Sequence, residues 1–200
     1  MTDRERLSVN IMKLRIIAAG LAALLCLLML SGCSQMTGAE KKVSKELESL
    51  QTSDFVGSEV MALRDSLSDE GKENFDGFIK KLRSFEYEIT GSKEDEEKED
   101  DYALVSVRIK TFDFGREYLA AWTEYLKANE DPDPDDTGFY ELLFARLNSL
   151  SEKDCIKHIE IVCIDPLDNG EWIANIKDNE ELQDAVFGGM MTEMKTLAAE

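Results

Sequence analysis

Fifteen uncharged residues, Ile16 to Leu30, run unbroken in a chain otherwise dense in charge. As a helix the run reaches roughly 22 Å, short of the roughly 30 Å hydrocarbon core of a bilayer. Lys13 and Arg15 stand before it, and Ser31, Gly32 and Cys33 come after it. A basic start, an apolar middle and a small-residue end are the three parts of an export signal that is cut from the mature chain. The folded domain is therefore expected to begin beyond residue 32. Met12 opens a more compact version of the same signal, and translation is expected to begin there.

The rest of the chain is strongly acidic. The 200 residues hold 23 Lys and Arg against 42 Asp and Glu, a formal charge of −19. The first 32 residues carry +2, so the remainder carries −21. That sign repels phosphate backbones and excludes nucleic acid as a partner class, while cations and basic peptides are electrostatically permitted. It also keeps a domain of this size dispersed in water.

Leu30-Ser31-Gly32-Cys33 resembles the lipobox of bacterial lipoproteins at all four of its positions. The resemblance implies that the Cys33 thiol receives a diacylglyceryl group and that the chain is cut between Gly32 and Cys33. It also implies a protein held in the cell membrane by its lipid and facing the extracytoplasmic side. Two acyl chains at about 0.8 kcal/mol per buried methylene anchor stably where one is marginal. Residues 33–39 then read as a lipidated tether, 40–189 as the globular domain and 190–200 as a C-terminal tail of helical pattern.

Within the domain, Val43, Leu47 and Leu50 fall on one helix face. Ser58 is expected to cap a short helix carrying Val60 and Leu63, and Ser68 a longer one carrying Phe75, Phe78 and Leu82, weakened by Gly71 and Gly77. The period then changes to two. Phe85, Tyr87 and Ile89 make one strand, and Ala103, Val105, Val107 and Ile109 make another, with residues 91–101 as an extended acidic loop between them. Helices are expected from about Arg116 to Ala128 and from Asp136 or Thr137 to Leu150. Strands come next at Ile156–Ile164 and Trp172–Ile176, joined by the turn residues of Asp165–Gly170. Asp178 and Glu181 have the spacing of a capping box ahead of a last helix. Antiparallel hairpins with segregated helices define an α+β fold.

Three stretches, FEYEI at 85–89, YALVSVRIKTFDF at 102–114 and EWIANI at 171–176, resemble small extracytoplasmic lipoproteins with a nuclear-transport-factor-2-like domain. The resemblance implies a curved antiparallel sheet closed into a cone by the N-terminal helices. Tyr87, Tyr102, Trp122, Tyr140 and Trp172 would line its interior. In enzymes of that fold an acid and a tyrosine act inside the cavity, and Asp113 and Tyr102 are the nearest candidates by position.

Other chemistry is thinly represented. Cys155 and Cys163 lie about 26 Å apart on a continuous strand, beyond the roughly 7 Å that a disulfide allows, so both are expected as free thiols. His158 is the sole histidine, which excludes a histidine-rich metal site. Asp131, Asp133 and Asp135 have calcium-loop spacing, but Asp136 stands where glycine is needed and Leu142 where glutamate is needed. No nucleophile and base can be paired, and no cofactor or metal site is expected. The expected function is a membrane-anchored, non-catalytic module that binds a small apolar ligand or a protein partner. A cavity enzyme using one carboxylate and one tyrosine, or a purely structural envelope protein, stands as the alternative.

Overall fold

The computed structural model describes residues 36–52, 57–95, 101–129 and 136–199. Cys33, Gly32 and the whole export signal lie outside the described residues, as do Asp131 to Asp135. The elements belong to one compact unit, Thr37–Glu200. They run in the order α1 (Gly38–Thr52), α2 (Ser58–Ser66), α3 (Asp69–Arg83), β1 (Glu86–Asp95), β2 (Asp101–Thr111), α4 (Phe114–Ala128), α5 (Thr137–Ser149), β3 (Cys155–Asp165), β4 (Ile173–Ala174), α6 (Glu180–Val186) and α7 (Met190–Leu197). Among the described residues, no helix is long and apolar enough to cross a membrane.

Helix α1 starts earlier than its apolar spacing suggests. Thr37 and Glu40 form a reciprocal capping box: the Thr37 amide donates to Glu40 Oε2 at 2.9 Å, and the Glu40 amide to Thr37 Oγ1 at 3.2 Å. Ala39, Val43 and Leu47 then recur every fourth residue and are fully buried. Ser68 caps α3 by accepting from the Gly71 amide at 3.0 Å. Gly57, not Ser58, holds the cap position of α2. Asn179, not Asp178, caps α6, accepting from the Leu182 amide at 2.8 Å. Glycine does not break α3, because there it serves packing. A Cβ at Gly77 would fall on the side-chain amide of Asn148 in α5, so the missing side chain lets α3 and α5 approach.

The four strands pair antiparallel in sequence order, β1-β2-β3-β4. Val105, Val107 and Ile109 of β2 and Ile159, Ile161 and Cys163 of β3 share the buried face, where α1 and α6 pack on them. Pairing in β1 runs past Ile89 with one register irregularity before Gly91 and continues to Asp95 opposite Tyr102. Residues 91–95 and 101 of the expected acidic loop are thus ladder, because the backbone makes the pairing: Ser92 turns toward α1 and donates to Glu40 Oε1 at 3.0 Å, while Glu86 and Glu88 stand on the solvent side. On that side Glu86 pairs with Lys153 at 2.8 Å, and Arg108 with Glu88 at 3.2 Å.

The α+β class is observed, but the nuclear-transport-factor-2-like cone is not. The sheet is neither closed nor curled: it has four strands with β1 and β4 as separate edges. Curling a sheet takes repeated bulges and long strands. Among the described residues, the ladder irregularity lies in the edge strand β1, and β4 is two residues long where five were expected. Where a cone would be hollow, a single core joins Leu47, Phe75, Phe78, Leu82, Phe85, Phe114, Phe139 and Leu147.

Candidate functional site

The residues nominated for a cavity stand in different parts of this core. Tyr87, on the buried face of β1, shares a 3.0 Å hydrogen bond with Ser44 of α1. Tyr102 lies opposite Ile164 on the other face of the sheet. The Trp172 indole lies against Gly38, where an added Cβ would come within 2.5 Å of its Nε1. Asp113 caps α4, accepting from the Arg116 amide at 3.0 Å, and lies 3.6 Å from the Arg116 guanidinium. Trp122 and Tyr140 meet a common neighbour, Phe139, at ring-centroid distances of 5.3 and 5.5 Å.

That neighbour leads to a polar pair that sequence reasoning missed. Tyr125 is a buried residue of α4, stacked on Trp122 at 5.9 Å. Its hydroxyl donates to Asp136 Oδ2 at 2.5 Å. Asp136 caps α5, and its Oδ1 accepts from the Gly138 amide at 2.8 Å. The Tyr125 hydroxyl, and after it the Gly138 amide, holds the Asp136 carboxyl below its ordinary value of 3.8. Two helices are thus joined by an ionised cap whose two oxygens are both engaged. The sequence signal was weak: Tyr125 lies three residues beyond Trp122, and Asp136 lay at an expected helix start. Helical spacing from Leu119 and Trp122 points to Leu126 for the core face, yet Leu126 is exposed and Tyr125 takes the buried position.

Removing the hydroxyl tests this pair. Tyr125→Phe is expected to lower the melting temperature by a few degrees at neutral pH. A carboxylate whose pKa is depressed on folding stabilises above its ordinary value, and that contribution disappears as pH falls through the lower folded value. The gap between wild type and Tyr125→Phe should therefore narrow below about pH 3.8 in paired thermal melts. A constant gap would deny the charge-assisted bond.

Three surface depressions formed by described residues bear on a binding site. The most apolar lies between α1 and α6, with a volume of about 330 Å³, and is lined by Leu50, Phe85, Ile176, Lys177, Leu182, Gln183, Val186 and Phe187. A neighbouring groove of about 390 Å³ shares Ile176 and Lys177 and adds Lys42, Glu46 and Asp178. The third is polar, holding Thr90, Ser106, His158, Glu160 and Glu181. None of the three is lined by the six nominated residues.

Cys155 and Cys163 are free thiols at the start and near the end of β3. Burial raises the Cys163 thiol to about 11 and pushes Cys155 up as well, so neither is poised as a nucleophile at neutral pH. His158 is exposed, opposite Arg108 of β2. Among the described residues, no group of three or more His, Cys, Asp or Glu is placed to hold a metal ion.

The chain matches no family model, no curated protein and no solved structure.

Proposed function

We propose that this chain is a lipid-anchored extracytoplasmic protein whose domain is a non-catalytic binding module. Leu30-Ser31-Gly32-Cys33 behind its fifteen-residue apolar run carries the reading. It accounts together for the basic start, the short apolar length, the small residues and the cysteine. Four residues, Ser34 to Thr37, separate that sulfur from the first helix. Two acyl chains supply the attachment, and an acidic surface keeps the domain in solution above the membrane. The apolar groove between α1 and α6 supports the binding half of the reading, being concave, apolar and formed by several segments of the domain.

Growth of the producing cells with an alkyne-bearing palmitate tests the anchor. The wild-type chain should take up the label and lose residues 1–32. Cys33→Ala should take up none and keep them, because alkylation precedes the cut. Equal labelling of both chains would refute the anchor.

The Tyr125–Asp136 hydrogen bond favours a second reading, in which a carboxylate and a tyrosine act together as the expected cavity enzyme would require. Tyr125→Phe separates the two. A structural pair costs stability and leaves complementation of a deletion strain intact. A catalytic pair loses complementation with little change in melting temperature.

A further inference from the structure

The groove between α1 and α6 has a chemically simple lining. Leu50, Phe85, Ile176, Leu182, Val186 and Phe187 form its walls, and among the described residues Lys177 is the one charged side chain that lines it. The amides close to it are already engaged. Gln183 Nε2 donates to the Lys177 carbonyl at 2.6 Å, and Gln51 Nε2 to the Phe85 carbonyl at 2.6 Å. An extended peptide laid in the groove would find few partners for its backbone, and water would find few as well. A hydrocarbon chain needs none. The volume of about 330 Å³ is about twice that of an engineered apolar cavity, about 150 Å³, that takes up benzene.

The charge at the rim selects the head group. In a chain of net charge −19, Lys177 makes no ion pair among the described residues. Of the charged side chains in the adjoining groove, Lys42 and Glu46 pair with each other at 2.7 Å, and Asp178 makes no ion pair among the described residues. We propose that this groove binds a single-chain anionic amphiphile, a medium-chain carboxylate, with its alkyl tail along Leu50, Phe85, Leu182 and Val186 and its head at Lys177. The inference rests on reading the domain as a binding module, and it names the ligand class of that module.

The test uses the full chain in phosphatidylcholine nanodiscs and two photoreactive probes with the same ten-carbon, diazirine-bearing tail. One ends in a carboxylate and the other in a trimethylammonium group. Cross-linked peptides are mapped by mass spectrometry. The carboxylate probe should label the Leu182–Phe187 region saturably, at least tenfold above the ammonium probe, and unlabelled decanoate should displace it. Lys177→Gln should bring the two probes level, and Lys177→Arg should restore the preference. Leu50→Trp, which fills the groove, should remove labelling by both. Equal labelling of wild type by the two probes would make the groove a contact for an apolar side chain of a partner protein and overturn the proposal. Unsaturable labelling, or adducts away from the groove, would overturn it too. Repeating the experiment on Cys33→Ala keeps the two claims apart. Labelling of the groove should persist there whether or not Cys33 is the lipid anchor, and its loss in that variant would contradict an intrinsic site.

Discussion

Gly188→Ala is expected to lose about 4 kcal/mol, a large share of the stability of a domain of this size. Gly188 joins α6 to α7 with φ at +54°, in the left-handed region. An added Cβ would fall on the Phe112 carbonyl oxygen, well inside van der Waals contact, and within 3.0 Å of the Phe114 nitrogen. Both are backbone atoms and cannot step aside as a side-chain tip would. The same junction carries a hydrogen bond from the Gly115 amide to the Gly188 carbonyl at 3.1 Å, so displacing Gly188 also disturbs the first turn of α4. Gly189 supplies the control. Its φ is +83°, but a Cβ there meets nothing closer than Lys157 Nζ at 3.8 Å. Gly189→Ala should therefore cost only the left-handed strain, about 1–2 kcal/mol. Urea denaturation of the two variants reads the difference, and equal midpoints would show that the contact with Phe112 does not matter.

Phe114→Ala is expected to cost about 4 kcal/mol as well, by a different route. Phe114 is fully buried at the start of α4, with its ring edge-to-face on Phe78 of α3 at 5.3 Å and tilted on Phe112 at 5.7 Å. It sits where α3, the end of β2 and α4 converge, and the rigid surroundings can only partly collapse around the missing ring. Phe114→Leu keeps most of the volume and should cost about 1–1.5 kcal/mol. The denaturant slope should be unchanged in both variants, because the surface exposed on unfolding is the same. If alanine and leucine proved equally mild, the aromatic cluster would not be the centre of this core.

These two residues mark the limit of what the sequence discloses. Alternation in β1 and β2 names the buried face correctly, because a strand pointing apolar side chains one way must cover them. The same alternation is blind to curvature, so an open sheet and a cone share one pattern, and the cone expectation fell on the shortness of β4. Glycines in α3 look like helix breakers to propensity, yet Gly77 marks a close helix contact that only the fold brings about. In the expected site, Asp113 and Tyr102 had the right chemistry at unconnected places. The tyrosine and aspartate that do meet, Tyr125 and Asp136, are separated by the Asn129–Asp135 connection. No periodicity links residues across such a connection. The apolar groove was equally illegible, since its lining is drawn from α1, the Ser84–Phe85 junction, the segment after β4, and α6.

Everything proposed about where this domain acts depends on the sulfur of Cys33. Intact-mass analysis of the chain extracted from its native membrane tests it most directly. The account predicts a chain that begins at Cys33 and carries a thioether-linked diacylglyceryl group. An unmodified Cys33 thiol with residues 16–32 still attached would contradict it.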